Sequence, residues 1–426
     1  MIDRRAFLKA GGLSLVAVGG GSLSGGPMFL ARTALAAPGP AALQRRKVLV
    51  SIFQRGAMDG LMAAPPLEEE KLLKKYRPQL AMVGARNAGE NRVLDLGNGF
   101  GLHPALSALE PLWKERRLAI AHQVGSPDAT RSHFDAQDYM ETGTPGRKGT
   151  PSGWLNRVSG LLGHDCSPFR SVSMTSALPR SFYGPEQALA ISHLEDFKMQ
   201  LPGASGVARV AGQGFEALYE ETSQELLRDT GSDTFDAVKV LSDLDLNSYR
   251  PAPGARYPGS PLGTALKQIA LLIKADVGLE VAFAETGGWD THVQQGTTNG
   301  SFGRRARDLA RSIAAFWQDL GKVQDDVVLT TMTEFGRTVR ENGSGGTDHG
   351  HGSCLFVLGN QVRGGVVHGG VEGLDQDLLY EGRDLPVRVD FRSVFSELAS
   401  AHLGVEAGQV LFPGWQGSAI PLLRRA

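Results

Sequence analysis

Short apolar runs alternate with amphipathic helical segments along this chain, and the alternation limits the folds that the chain can adopt. Each run has four to six residues, the length of a buried strand, and residues 262–275 and 302–320 between the runs have helical spacing. The predicted strands are residues 48–53, 118–121, 171–175, 279–284, 327–331 and 354–358. The pattern predicts an α/β fold with a mostly parallel sheet, in which residues 48–53 form the first, central strand.

The composition excludes several classes of protein. The 426 residues, 41% of them hydrophobic, are enough to bury a large core, which excludes intrinsic disorder as the main state. A formal net charge of −1 argues against a nucleic-acid partner, and two cysteines are too few for a disulfide framework. Because residues 180–260 are more polar and helical than the rest, we interpret residues 37–426 as one domain with a helical insertion there.

The first 36 residues have the features of an export signal. Arg4 and Arg5 precede a long, weakly apolar run, and the small-x-small pattern at residues 34–36 is typical of a cleavage site. These features predict a twin-arginine signal, with an ordinary N-terminal anchor as the alternative. We expect folded export by the twin-arginine machinery to the periplasm or beyond, with no stable membrane span after cleavage. Cys166 and Cys354 would then meet oxidising conditions, but Cys354 lies in a predicted buried strand, which favours a core thiol over a disulfide.

Carboxylates and histidines are concentrated directly after, or directly before, the predicted strands. Because ligands gather where the strands of an open α/β sheet have their carboxyl ends, we expect these side chains to meet at one edge. Carboxylates combined with imidazoles suit zinc, manganese and related divalent ions. The candidate metal ligands are Asp59, Asp290, His292, Glu334, Asp348, His349 and His351.

Each of these groups also has a simpler explanation. Asp59 could form a turn or cap a helix, residues 290–292 could form a solvated turn, and Glu334 could pair with a nearby arginine. Two histidines one residue apart among glycines, His349 and His351, are harder to explain by packing. Their alternate spacing would point them to opposite sides, so a single ligand is favoured there. Four such groups at one edge favour a metal site over four unrelated turns.

A second group of polar residues follows the predicted strand at residues 118–121. Residues 126–143 have the pattern of a loop, then a helix, then a glycine stop. Ser132 lies near the expected helix N-terminus, where unpaired N–H groups and the helix dipole favour an anion, and its hydroxyl could act as a nucleophile. In the alternative interpretation Ser132 caps the helix, and Asp135 and Asp138 belong to its solvated acidic face.

Five motifs in a fixed order give the chain a family resemblance. They are Arg-Gly-Ala-Met-Asp-Gly-Leu at 55–61, Arg-Ser-His-Phe-Asp-Ala-Gln-Asp-Tyr-Met-Glu-Thr-Gly at 131–143, Gly-Gly-Trp-Asp-Thr-His at 287–292, Thr-Glu-Phe-Gly-Arg-Thr at 333–338 and Gly-Thr-Asp-His-Gly-His-Gly at 346–352. Behind a twin-arginine leader, they resemble the bacterial exported family called domain of unknown function 1501, which is grouped with the alkaline phosphatase and sulfatase superfamily. The resemblance implies an alkaline-phosphatase-like three-layer α/β/α sandwich with a metal centre at the carboxyl edge of its sheet.

The resemblance also implies roles for individual residues. Asp59 matches the metal-binding carboxylate after the first strand, and Asp290 with His292 is similar to the aspartate–histidine pair of one metal. Glu334 takes the place of the aspartate in the Asp-His-Gly motif of the superfamily, and Phe335 takes the place of its histidine. The later residues 348–351 could supply a further histidine ligand.

The leading functional hypothesis is a metal-dependent hydrolase of an anionic phosphate or sulfate ester. One or two divalent ions would be bound, with zinc, manganese, calcium and magnesium all open. The nucleophile would be Ser132, or His133, which lies where the superfamily nucleophile normally sits, or a water activated by the metal. Arg131 or Arg337 could clamp an oxygen of the ester.

Two other classes of protein remain as alternatives. A non-catalytic exported metal-binding protein of the same fold, which binds a glycan, a lipid or a protein, is favoured by Phe335 and by the displaced nucleophile. An exported redox enzyme is the third hypothesis. Against it, the sequence has no glycine fingerprint after the first strand, no cysteine cluster and no haem attachment motif.

Overall fold

One mixed sheet forms the centre of the protein. The computed structural model describes residues 46–84, 89, 92–164, 167–194, 248–406 and 408–425. The strands in these ranges are β1 (Val48–Gln54), β2 (Leu94–Gly97), β3 (Phe100–Leu102), β4 (Leu118–Gly125), β5 (Ser171–Ser173), β6 (Leu189–Ala190), β7 (Val281–Thr286), β8 (Val327–Met332), β9 (Ser353–Leu358), β10 (Val367–His368) and β11 (Val389–Asp390). Within the described part of the chain, nine of them form one sheet in the order β10–β4–β9–β8–β1–β7–β5–β6, and β11 also pairs with β4. β2 and β3 form a separate antiparallel pair.

The direction of the strands determines which loops meet. β1 lies inside the sheet between β7 and β8, and both run parallel to it. β9 runs antiparallel to its two neighbours, β8 and β4, whereas the other pairings in this sheet are parallel. The carboxyl ends of β1, β4, β7 and β8 therefore share one edge with the amino end of β9. We call this edge the C-terminal edge of the sheet.

Helices cover both faces of the sheet. Those in the described ranges are α1 (Gly60–Ala63), α2 (Glu70–Tyr76), α3 (Glu110–Lys114), α4 (His133–Thr142), α5 (Trp154–Leu161), α6 (Pro261–Lys274), α7 (Ser301–Leu320), α8 (Phe391–Glu397) and α9 (Gly408–Leu411). Because side chains alternate along a strand, Val50 and Ile52 of β1 pack in one core with α6 and α7, whereas Leu49 and Phe53 pack in a second core with α5 and α8. The predicted three-layer α/β/α architecture with a mostly parallel sheet is thus confirmed.

All six predicted strands and both predicted helices are present, with shifted ends. The largest shift is at β4, which continues to Gly125 instead of ending at Ala121. The added residues include the polar His122 and Gln123, which hide the strand signal. The register shifts between His122 and Val124, and Gln123 has a positive φ of 52°. A bulge of this kind bends the strand toward the loop that follows it.

Several predictions fall wholly or partly outside the described residues. These are the export signal at residues 1–36, Cys166, and residues 195–247 of the predicted insertion. Before that gap, residues 189–190 form the edge strand β6. Cys354 lies buried in β9, where burial raises the pKa of its thiol. None of the described helices is long and apolar enough to cross a bilayer.

Two buried histidines should make the stability of the protein depend on pH. Burial lowers the pKa of His122 to about 4 and that of His402 to about 4, below the roughly 6.5 of an unfolded chain. Between these values the unfolded chain binds protons that the folded protein does not. The free energy of unfolding should therefore fall as the pH drops from about 6.5 to about 4, by up to ~1.4 kcal/mol per pH unit for each histidine.

Urea denaturation of the protein and of His402→Gln across this pH range measures the effect. The Nε2 atom of His402 lies 3.0 Å from the carbonyl oxygen of Val48, a contact that a glutamine amide can replace. The variant should lose stability less steeply with falling pH. Equal slopes for the two proteins would show that His402 does not contribute.

Candidate metal centre

Four chain segments bring polar side chains to the C-terminal edge of the sheet. The loop after β4 leads into α4, which begins at His133. Asp290 and His292 follow β7, and Glu334 follows β8. His349 precedes β9 and reaches the same edge because β9 runs in the opposite direction.

Three imidazole rings converge on one carboxylate oxygen. The Nε2 atoms of His133, His292 and His349 lie 3.5, 3.0 and 3.3 Å from Oδ1 of Asp290. The Nε2 atoms of His292 and His349 are 2.9 Å apart. Ligands of a tetrahedral zinc ion with metal–ligand distances of about 2.0–2.1 Å lie roughly 3.3 Å from one another. The spacing of these four atoms therefore fits a small divalent ion, and we call these residues the His–Asp cluster.

The other nitrogen of each ring is held by an acceptor. Nδ1 of His133 donates to Oε1 of Glu334 at 2.8 Å, and Nδ1 of His292 donates to Oδ1 of Asp348 at 3.1 Å. Nδ1 of His349 donates to the backbone oxygen of Arg131 at 2.8 Å. Because carbonyl and carboxylate oxygens only accept hydrogen bonds, each Nδ1 carries the proton, and a neutral ring presents the lone pair of Nε2 to the cluster.

The Nε2 atom of His133 gives an independent indication of a missing ligand. It is buried and makes no hydrogen bond. A buried polar atom without a partner is costly, and an unmodelled ion is one recognised explanation. In the described ranges, ligand atoms of His133, Asp290 and His349 all lie within 4.8 Å of one another, as a metal site requires. The residues present therefore fit a bound cation.

Charges around the cluster hold the rings in different protonation states. The hydrogen bond from Glu334 raises the pKa of His133, whereas burial lowers the pKa of His349. A cation bound at both Nε2 atoms must displace any proton from His133. Metal affinity should therefore decrease as the pH falls.

Glu334 lies behind His133 and positions it. The carboxylate is fully buried, and its Oε1 accepts hydrogen bonds from His133, from the backbone N–H of Gly56 at 2.8 Å and from Gln137 at 2.9 Å. Its Oε2 accepts from the hydroxyl of Thr333 at 3.1 Å. Burial alone would raise the pKa of Glu334, but these hydrogen bonds hold it below its usual value. The structure thus places this predicted ligand next to a ligand histidine, with both oxygens occupied.

Arg337 fixes Asp290. The guanidinium is buried, and NH1 donates to Oδ1 of Asp290 at 2.8 Å. Its Nε donates to the hydroxyl of Thr347 at 3.2 Å, and NH2 donates to the backbone oxygen of the same residue. Although burial raises the pKa of Asp290, Arg337 brings it below its usual value, so the carboxylate stays ionised. Arg337 is therefore placed to hold a ligand, and this guanidinium is already engaged.

Two residues predicted to act on the substrate have structural partners. The guanidinium of Arg131 pairs with Glu381 at 2.6 Å and with Asp384 at 2.8 Å. Oγ of Ser132 accepts a hydrogen bond from the backbone N–H of Asp135 at 3.4 Å, which makes Ser132 the N-cap of α4. The helix ends, as predicted, with Gly143 in the left-handed conformation at φ 67°. The structural alternative for Ser132 thus describes its contacts in this structure.

Asp59 has a different set of partners from the cluster. Its Oδ1 accepts from the backbone N–H of Met62 and caps α1. Its Oδ2 accepts from Arg77 at 2.9 Å and from Gln295 at 2.8 Å, and both charged side chains are almost completely buried. The structure therefore places this predicted ligand in a helix cap and a buried ion pair.

The two histidines before β9 separate as their alternate spacing implies. His349 belongs to the His–Asp cluster, whereas His351 stacks on Tyr380 with ring centroids 4.6 Å apart. Asp348 contacts His292 and also accepts a hydrogen bond from Asn342 at 3.0 Å. Asp348 thus supports a ring of the cluster.

Sequence reasoning missed several supporting residues. Gln137 lies four residues after His133, on the same face of α4, and this spacing could have linked both to Glu334. The ring of Phe335 lies 5.0 Å from the rings of His133 and His349, so an apolar surface closes one side of the cluster. Arg383 donates to the backbone oxygen of His349, a contact for which the sequence gives no signal.

The fold and the cluster define an α/β protein with a candidate metal centre built from histidines and aspartate. The family model described as "Protein of unknown function (DUF1501)" matches residues 113–410. The chain therefore belongs to this family, as its five motifs predicted. No curated protein matches the chain.

Solved structures with a similar chain path have very different sequences. The C-terminal periplasmic domain of EcEptC from Escherichia coli, in complex with zinc, is 10% identical over 74% of this chain and 73% of that chain, with a TM-score of 0.35. The lipoteichoic acid synthase LtaP from Listeria monocytogenes is 10% identical over 86% and 74%, with a TM-score of 0.34. The PsFucS1 sulfatase from Pseudoalteromonas sp. is 9% identical over 76% and 64%, with a TM-score of 0.30.

Proposed function

We propose that this chain is an exported metal-dependent hydrolase of phosphate or sulfate esters. The observation that carries the proposal is the convergence of three imidazole Nε2 atoms on Oδ1 of Asp290. The leader sequence supports export through the twin-arginine pathway and a site of action in the periplasm or outside the cell.

The ligand set favours one ion of the zinc type. His133, His292 and His349 would each provide Nε2, and Asp290 would provide Oδ1. Imidazole ligands suit zinc, whereas calcium and magnesium prefer sites built from oxygen atoms. One such group is present among the described residues, so we propose a single ion. A bound divalent ion would polarise an ester oxygen and make a hydroxyl or a water a better nucleophile at neutral pH.

The surrounding residues would keep the ligands in a fixed geometry. Glu334, Asp348 and the backbone oxygen of Arg131 hold the Nδ1 protons, so that Nε2 of each ring stays directed at the cluster. Arg337 holds Asp290 in place and keeps it ionised. The exposed side of the cluster would admit the ester, since the side chains of Asp290 and His292 are 44% and 38% exposed.

Ser132 is the nucleophile that the proposal favours. It directly precedes the ligand His133 at the N-terminus of α4, where the helix dipole stabilises an anion. Ser132→Ala should therefore abolish ester hydrolysis and leave the metal content unchanged. The lost cap should cost no more than about 1 kcal/mol of stability, because the hydroxyl is exposed.

Chromogenic phosphomonoester, phosphodiester and sulfate ester substrates measure this effect, with metal analysis of both proteins as the control. Full activity in Ser132→Ala would assign the attack to water. Loss of metal from the variant would make its loss of activity uninformative about the nucleophile, and Ser132→Thr, which keeps a hydroxyl at the cap, would then decide by regaining activity or not.

A non-catalytic metal-binding protein is the second candidate. It is favoured because Oγ of Ser132 is used as a helix cap and the guanidiniums of Arg131 and Arg337 are engaged by acids or carbonyl oxygens. In that case the protein would bind one metal ion per chain and hydrolyse none of the three ester classes. The same substrate panel, used on fully metal-loaded protein, therefore separates the two candidates.

A further inference from the structure

Two exposed apolar side chains border the His–Asp cluster. Phe134 is 90% exposed and directly follows His133, and Val293 is 63% exposed and directly follows His292. Both belong to the segments that carry the cluster, on a side where Asp290 and His292 are themselves open to solvent. Folding gains nothing from an exposed phenyl ring, since burial is what makes such a ring stabilising. Exposed apolar residues at the rim of a polar site are typical of ligand contact.

The position of Phe134 on its helix separates it from the core. His133 and Gln137 lie on the inner face of α4, where both contact Glu334. Ala136 completes this face against Phe335. Phe134 is rotated away from that face in the first turn of the helix, beside the cluster and in contact with solvent.

The charges around the cluster limit the charge that a ligand can carry. The carboxylates in the cluster and its network of partners are those of Asp290, Glu334, Asp348, Glu381 and Asp384, and the guanidiniums are those of Arg131, Arg337 and Arg383. A divalent ion would bring this group to neutrality with neutral histidines. Each of the three guanidiniums already contacts a carboxylate of the group. A further guanidinium, that of Arg305, packs against Gly288, two residues before Asp290. A neutral centre with one added cation nearby matches a ligand with one negative charge better than a ligand with two.

We propose that the centre binds singly charged oxyanion esters that carry an apolar, preferably aromatic, substituent, and that Phe134 and Val293 hold this substituent. The shared chemistry covers aryl sulfate esters and aryl phosphodiesters, and it disfavours phosphomonoesters, which carry two charges. The inference rests on the proposed function and narrows its substrate class.

Calorimetric titration of the full-length, metal-loaded protein with analogues that resist hydrolysis tests the proposal. Benzenesulfonate has one charge and a ring, methanesulfonate has one charge without a ring, and phenylphosphonate has a ring and, at alkaline pH, two charges. Benzenesulfonate should bind about ten-fold more tightly than methanesulfonate, the gain expected for burying a ring against aromatic and aliphatic side chains. It should also bind more tightly than phenylphosphonate. Methyl phenylphosphonate, with one charge on phosphorus, distinguishes a phosphodiester from a sulfate ester as the natural ligand.

Matched variants identify the contact. Phe134→Ser should reduce the ten-fold preference for benzenesulfonate to about two-fold, and Val293→Ser should reduce it less, because valine presents a smaller surface. Val410→Ser is the control, since Val410 is 64% exposed on α9, outside the segments of the cluster. An unchanged preference in Phe134→Ser, or tighter binding of phenylphosphonate, would overturn the inference. So would the absence of sulfonate binding to metal-loaded protein.

The readout separates this inference from the proposed function. Sulfonates are bound without turnover, so their affinity does not depend on hydrolysis. If the ester panel shows no turnover but Phe134→Ser lowers the affinity for benzenesulfonate as expected, hydrolysis is wrong and the ligand class stands. If esters are hydrolysed without any preference for an apolar substituent, the proposed function stands and the inference is wrong.

Discussion

His349→Ala should leave the purified protein with almost no bound metal. Its Nε2 atom lies 2.9 Å from Nε2 of His292 and 3.3 Å from Oδ1 of Asp290, so its loss opens the centre of the His–Asp cluster. Removal of residues that merely support a ligand typically costs 10- to 100-fold in metal affinity, so removal of a ligand should cost at least about 100-fold. Metal quantification on protein purified without chelator, followed by a competition titration, measures the change.

His351→Ala is the matched control for this experiment. It lies two residues away in the same loop, but its ring stacks on Tyr380. The control should therefore retain about one metal ion per chain, although it loses a packing contact. Equal metal content in the two variants, whether high or low, would contradict the assignment of His349 as the ligand of this loop.

Asp59→Ala should cause the largest loss of stability among the single substitutions considered. The carboxylate pairs with Arg77 at 2.9 Å, and both side chains are almost completely buried. Truncation would leave the Arg77 guanidinium buried without its counter-charge, which typically costs about 3–5 kcal/mol. The variant would also lose the N-cap of α1 and a hydrogen bond from Gln295. Urea denaturation of the two proteins measures the difference in the free energy of unfolding.

Two further measurements make the result specific. Glu372→Ala removes an exposed ion pair with Arg388 and should change stability by less than about 1 kcal/mol. The metal content of folded Asp59→Ala should equal that of the parent, because Asp59 contacts Arg77, Gln295 and Met62 in the structure. A metal-free but stable Asp59→Ala would instead restore Asp59 as a ligand.

The sequence predicts most of the sheet because its central strands are buried on both faces. Such strands appear as continuous apolar runs, and all six runs are strands in the structure. β6, β10 and β11 were not predicted, since each has only two residues and no apolar run of its own. Their pairing is set by the neighbours β4 and β5, which a local pattern does not contain.

The sequence places candidate ligands at the correct edge but does not give the direction of each side chain. Asp290, His292 and His349 meet, and His133, considered as a nucleophile position, joins them. Asp59 and Glu334 were predicted from the same logic, but their carboxylates are engaged by other donors. Partners such as Arg77 come from segments without a recognisable motif, so only the assembled fold shows them.

The antiparallel direction of β9 has a consequence for when the centre can assemble. His133 and His349 are separated by about half of the chain, and they meet only once β4 and β9 lie side by side. During synthesis, His349 leaves the ribosome after every other ligand, and no earlier portion of the chain can complete the cluster. Metal uptake therefore belongs to the end of folding, and retention of the ion during purification reports that this half of the sheet has closed.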